Sequence, residues 1–243
     1  TSSDAGAGGN NTEVQYNSGG VLTGASGLTT DGNSLTAKSV KFNTSSPVTT
    51  LVQGNTYWDT TNTTLSTVLD ATNNVVLQHG QEVHIACVNK TGAIIANGKA
   101  VYINDAQGNR PTCALAKADA LATCQVVGVT TQPIGINDTG LVTVLGKVND
   151  FNTFGYSADG VTLYLSAATA GELTETAPSS PNYVVRVGLA LNTTPSGAIF
   201  VNGGPNNFVL LDASRGLNAG NIALLFTDQS PSDWTADVDQ SQL

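Results

Sequence analysis

The chain has 243 residues, enough for one large β domain or a domain with an extended segment. Charged residues make up 11%, against about 25% in ordinary globular chains, and the net charge is −9. Its nine Lys and Arg residues are scattered, whereas phosphate backbones and anionic headgroups need clustered cations, so nucleic-acid and membrane partners are disfavoured.

Hydrophobic residues at 40% can fill a core, and glycine, 26 of 243 residues, exceeds its usual share of about 7%. The surface must then be covered mainly by Asn, Thr, Ser, Gln and Gly, which suits an extended polar β surface. No run reaches the length of a membrane-spanning helix, and the N-terminal residues show no basic-then-apolar leader pattern.

Residues 1–20, rich in small polar residues, read as a flexible N-terminal anchor segment. Residues 21–79 read as an extended β stalk. There Val21-Leu22, Leu28, Leu35, Val40, Phe42 and Val48 alternate with polar turns, and Asp31-Gly32-Asn33 is a hairpin signal. Strands are expected at Thr56–Trp58, Thr64–Val68 and Val75–Leu77, with turns at Asp59–Thr63 and Asp70–Asn74. The stalk has too few apolar residues per strand for a core of its own; several chains wound together would share one.

Residues 80–204 read as a β-barrel or sandwich domain. Val83, Ile85 and Cys87 should share one face by the period of two. The domain contains an internal repeat. Gly98-Lys-Ala-Val101-Tyr102-Ile103, Val126-Val127-Gly128-Val129 and Gly140-Leu-Val-Thr-Val144-Leu-Gly146 are matched by Gly160-Val-Thr-Leu163-Tyr164-Leu165, Val185-Arg186-Val187-Gly188-Leu189 and Gly197-Ala-Ile-Phe-Val201-Asn-Gly203. Corresponding glycines are separated by 62 (98 to 160), 60 (128 to 188) and 57 (146 to 203) positions. Each unit reads as three short strands punctuated by glycine, with Val101 equivalent to Leu163 and Tyr102 to Tyr164. Pro111–Val127 fits either a short helical turn lined by Leu115, Ala118 and Leu121 or a loop. Residues 205–243 form a C-terminal extension, with Phe208–Leu211 a strand, Ala219–Leu225 a strand or short helix, and Trp234 an anchor in an acidic tail.

Chemistry is sparse. His79 and His84, five apart, fall on opposite faces of an unbroken strand, and neither has a ligand-spaced neighbour. No nucleophile elbow, phosphate loop or zinc-protease motif occurs. Asn104–Asn109 and Asp233–Asp239 crowd Asn and Asp as calcium loops do, but lack the alternating ligand pattern and read as turns. Asp150, Asp159, Glu172 and Glu175 are the carboxylates available for glycoside cleavage, which needs a facing pair. Tyr57-Trp58 is a candidate sugar platform, although adjacent strand residues point oppositely and one should sit in a core. Cys87, Cys113 and Cys124 have no metal spacing and read as small apolar residues, with a Cys113–Cys124 bridge left open. Sequons at Asn10, Asn43, Asn62, Asn89, Asn137 and Asn192 follow from an Asn- and Thr-rich composition. No catalytic, cofactor-binding or metal-binding residue is therefore assigned, and no cofactor is expected.

Val14-Gln15-Tyr16-Asn17-Ser18-Gly19-Gly20-Val21-Leu22-Thr23-Gly24 resembles openings common in fibre proteins of tailed bacteriophages. Gly54-Asn-Thr-Tyr57-Trp58-Asp59, Gly80-Gln81-Glu82-Val83, Val88-Asn89-Lys90-Thr91-Gly92 and Gly98–Ile103 resemble a module of virion fibre and head-decoration proteins. The resemblance covers about residues 14–203. It implies a non-enzymatic, homotrimeric virion structural protein, all-β, joined to other virion proteins (capsid, portal or tail) through a terminal segment. The alternatives are a capsid decoration protein and an adhesin head for a host-surface glycan or receptor; a depolymerase ranks behind both.

Overall fold

The computed structural model describes residue 10 and residues 13–19, 21–179 and 181–202. Most of the N-terminal anchor segment and all of the C-terminal extension, with Phe208–Leu211, Ala219–Leu225, Trp234 and the Asp233–Asp239 loop, lie outside the described residues. So does Gly203, the last glycine of the sequence repeat. The described chain is all-β, fifteen strands without a helix. Its contacts form two compact units. One holds the described residues up to Thr49 with Tyr57–Thr63; the other holds Thr50–Thr56 and those from Thr64 onward.

In the first unit β1 (Glu13–Ser18), β2 (Val21–Thr30) and β3 (Leu35–Ala37) make an antiparallel sheet. The expected hairpin turn follows β2. Asp31 Oδ1 accepts the backbone N–H groups of Asn33 (2.8 Å) and Ser34 (2.6 Å), and Gly32 supplies a φ of 90°. None of the side chains described between residues 10 and 49 is buried. The strand β4 (Thr56–Asp59) runs into the turn that closes this unit.

The second unit begins with the hairpin of β5 (Thr64–Asp70) and β6 (Val75–Gln78). β7 (Val83–Asn89), β8 (Ala100–Gln107), β9 (Arg110–Leu115), β10 (Val126–Thr130) and β11 (Thr139–Phe151) then pair in the cyclic order β10-β8-β9-β7-β11-β10. All pairings in this ring are antiparallel except β7 with β9. From β11 the sheet continues through β15 (Gly197–Val201), β14 (Arg186–Asn192), β12 (Thr162–Leu165) and β13 (Leu173–Thr174). Cys87, Ile95, Val101, Cys113, Ile134 and Val142 form one core, and a second, larger one includes Leu163, Val187, Ile199 and Val201.

Two local expectations need correction or completion. Ile85 and Cys87 face the first core, but Val83 is 49% exposed beside its cross-strand neighbour Leu145. A bulge between Thr143 and Leu145 shifts the register there, and the alternation lapses with it. Of the two readings of Pro111–Val127, the helical one fails: strand β9 runs to Leu115, and a turn-rich loop comes next, with Ala118 buried and Leu121 exposed.

Gly128 and Gly188, one pair of the glycines matched in the sequence, occupy similar places in the ladders. Val101 lies opposite Gly128, and Leu163 lies opposite Gly188. One residue on, Val129 faces Thr143 and Leu189 faces Phe200. A β-carbon at Gly128 would overlap the Thr143 carbonyl oxygen, and one at Gly188 would overlap that of Phe200. Glycine here permits close backbone approach between strands, so no side chain is tolerated. In urea titrations, Gly128→Ala and Gly188→Ala should each destabilise the protein by about 2 kcal/mol or more, since overlap with backbone cannot relax by a rotamer change. Gly155→Ala, which meets no atom within 4 Å, should stay within about 0.5 kcal/mol of the parent protein.

Candidate functional site

A surface cleft lies where β4 meets its turn. Asp59 Oδ1 accepts the N–H groups of Thr61 (2.9 Å) and Asn62 (3.1 Å), while Asn62 Nδ2 donates to Asp59 Oδ2 at 2.7 Å. Thr63 closes the turn at a φ of 53°. These bonds fix the carboxylate and the amide relative to the preceding aromatic pair. Tyr57 and Trp58 are both half-buried, and with Pro47, Val48, Asp59 and Asn62 they line a cleft of about 270 Å³. The expectation that one of the pair sits in a core is corrected: neither belongs to a core cluster. They stand near the end of a four-residue strand, where neighbours can converge on one depression. Burial, and then the negative charge of Asp59, raise the Tyr57 pKa, so its hydroxyl stays protonated at neutral pH. Pro47, Val48 and Asn62 carry no sequence signal that assigns them to this cleft.

The other sequence candidates are engaged elsewhere. Asp159 Oδ1 accepts from the Thr193 N–H (2.8 Å) and hydroxyl (2.9 Å), holding the loop after β14. Glu172 forms an ion pair with Lys99, and Glu175 accepts from the Ser157 N–H and hydroxyl. Burial first, and then the charges of Glu172 and Glu175, push the Tyr156 pKa up to about 12. Asp150 sits exposed at a φ of 59°. Asn104–Asn109 forms the end of the β8–β9 hairpin, with Asn104 accepting from the Thr112 hydroxyl at 3.0 Å. Among the described residues, no group of three or more His, Cys, Asp or Glu is placed to hold a metal.

All three cysteines are free, which removes the Cys113–Cys124 bridge. Cys113 shares the first core with Cys87, while Cys124 lies in the second. The Cys113 thiol and burial together push the Cys87 thiol up, so it is inert as a nucleophile. The histidines part company as well. His79 is exposed with its Nε2 2.8 Å from the Thr67 hydroxyl, whereas the His84 side chain is enclosed, 4.0 Å from Glu82. Glu82 Oε2 also accepts the Gln78 N–H at 3.1 Å.

Comparison with known proteins adds no assignment: the chain matches no protein-family model and no curated protein. The arrangement at β4 offers stacking surfaces and fixed polar groups for binding.

Burial lowers the His84 pKa below its ordinary 6.5. The fold thus holds a neutral imidazole, and the unfolded chain gains a proton as pH falls through 6.5. Stability contributed by this group is full above pH 6.5 and is lost as pH drops toward the folded value. Glu82 acts oppositely, because burial raises its carboxyl above 4.5, and its contribution declines as pH rises through the folded value. The urea midpoint should drop as pH is lowered from about 7.5 to 5.5, and His84→Gln should flatten that slope.

Proposed function

We propose that the chain is a non-enzymatic structural component of a bacteriophage virion, a head or tail fibre protein that assembles as a homotrimer. One observation carries the reading. The β1–β2–β3 sheet includes a ten-residue strand, yet no side chain described between residues 10 and 49 is buried, and Tyr16, Leu35 and Val40 are more than half exposed. A three-stranded sheet needs an apolar face packed against something to be stable. Closed cyclic assembly supplies that face and covers strand edges at the same time. The sparse surface charge and the fibre-like opening at Val14–Gly24 support a particle component over an enzyme.

The β-rich second unit is read as two related three-strand modules. The equivalent placing of Val101 and Leu163, of Gly128 and Gly188, and of the Thr143 and Phe200 carbonyls supports common descent of the two. Duplication of a scaffold is expected of a protein selected for rigidity, and no His, Cys, Ser, Asp or Glu recurs among the matched residues.

Light scattering of the purified chain should give roughly three times 24.8 kDa, as closed threefold symmetry requires. A monodisperse monomer that keeps its β signal refutes the trimer. Deleting residues 1–20 should leave a folded trimer that fails to join particles. If that protein still incorporates while removal of residues 205–243 prevents incorporation, the anchor is at the other end. A density map of the particle separates a fibre at few vertices from a decoration protein coating the shell.

A further inference from the structure

We infer that the cleft at the end of β4 is a carbohydrate subsite that receives one ring of a neutral pyranose oligosaccharide. The chain makes the same turn twice, and the second copy serves as an internal comparison. Asp70 Oδ1 accepts the N–H groups of Thr72 (2.9 Å) and Asn73 (3.1 Å), Asn73 Nδ2 donates to Asp70 Oδ2 at 2.8 Å, and Asn74 closes the turn at a φ of 56°. Bond for bond this repeats Asp59, Thr61, Asn62 and Thr63. The residues before the second turn are Val68, which is buried, and the half-buried Leu69. Those before the first are Tyr57 and Trp58. The turn therefore does not require aromatics, and the two large rings are not placed in a core.

Instead they line a depression together with Pro47, Val48, Asp59 and Asn62. A pyranose has an apolar C–H face and a periphery of hydroxyls. Aromatic rings take the first, and a carboxylate and an amide held rigid by their own turn take the second. Rigid polar groups lose little freedom on binding, which favours recognition by a small site. A cavity of about 150 Å³ already holds a benzene-sized ring, so about 270 Å³ has room for one sugar ring and its substituents. The carboxylate in the cleft and the chain's net charge of −9 argue against acidic sugars and phosphate. The protonated Tyr57 hydroxyl is available as a further donor or acceptor.

Sugar binding by the isolated chain and location in a particle are measured separately, so the subsite and the virion reading can fail independently. The chain has two tryptophans, so Trp234→Phe in the full-length protein leaves Trp58 as the reporter. Maltotriose and N-acetylated chitotriose are the probes, titrated by fluorescence and by calorimetry. At least one should give a saturable response with a dissociation constant on the order of 1 mM. Trp58→Ala should weaken it at least about tenfold, and Tyr57→Ala should weaken it as well. Trp58→Phe should retain part of the affinity, and Leu69→Ala at the twin turn should leave it unchanged. Absence of saturation with both probes at about 20 mM overturns the inference. Unchanged affinity in a folded Trp58→Ala protein, or tighter binding of sialyllactose than of either neutral probe, overturns it too. A fluorescence shift that tracks protein concentration alone shows a second copy covering the cleft and likewise rules out the sugar subsite.

Discussion

The second unit depends on one strand changing partners. β11 runs for thirteen residues, about 43 Å at the usual rise, longer than any other strand described. Its bonds to β7 end at Leu145, and its bonds to β15 begin at Gly146. β10 holds Val142 and Thr143. Beyond β7, the carbonyls of Asn149 and Asp150 are met by the Asn97 amide at 2.9 and 3.2 Å. One strand thus closes the five-strand ring and founds the second half of the sheet, and the two cores stand on its two ends. Val142 belongs to the first core and Val148 to the second.

The handover residue is constrained accordingly. Gly146 has a φ of 118°, and a β-carbon there would come within 2.6 Å of the Glu82 Cγ. Glu82 is itself 8% exposed, a buried acid set against Gly146. Burial holds its pKa up, outweighing the Gln78 N–H and Lys147, which both act to lower it. A buried acid with several partners specifies one geometry more than it adds stability. Here that geometry joins the β5–β6 hairpin to the start of β7.

Much of this was legible in the sequence because turns are local. Asp31-Gly32-Asn33, Asp59–Thr63 and Asp70–Asn74 each carry the side chain that bonds the turn's own backbone, so the strands between them could be placed. The glycine spacing pointed to Gly128 and Gly188 because close backbone approach leaves a residue-type signature. Partners distant in sequence were not legible. Nothing in Cys87 or Cys113 announces that parallel pairing of β7 with β9 brings them into one core while Cys124 joins another. The rule of alternation also misled at Val83, beside a bulge in its partner strand, and at Tyr57-Trp58, near the end of a four-residue strand. The cleft escaped for a related reason: Pro47 and Val48 approach the aromatic pair through the fold of the first unit, and no periodicity encodes that.

The cyclic strand order has a consequence in time as well as in space. A ribosome delivers β7 through β10 before β11, and without β11 the set is an open sheet whose two free edges are β7 and β10. Those edges present unpaired N–H and C=O groups that can template pairing with another nascent chain. They stay open until Thr139–Phe151 has left the exit tunnel, at which point a single segment seals both. The same segment immediately becomes the template for β15, which arrives later in synthesis. Translation order thus makes β11 the latch of the first five strands and the seed of the last four. Pauses in translation just before residue 139 would lengthen the exposed interval, whereas pauses after 151 would leave the closed ring waiting safely for its second half.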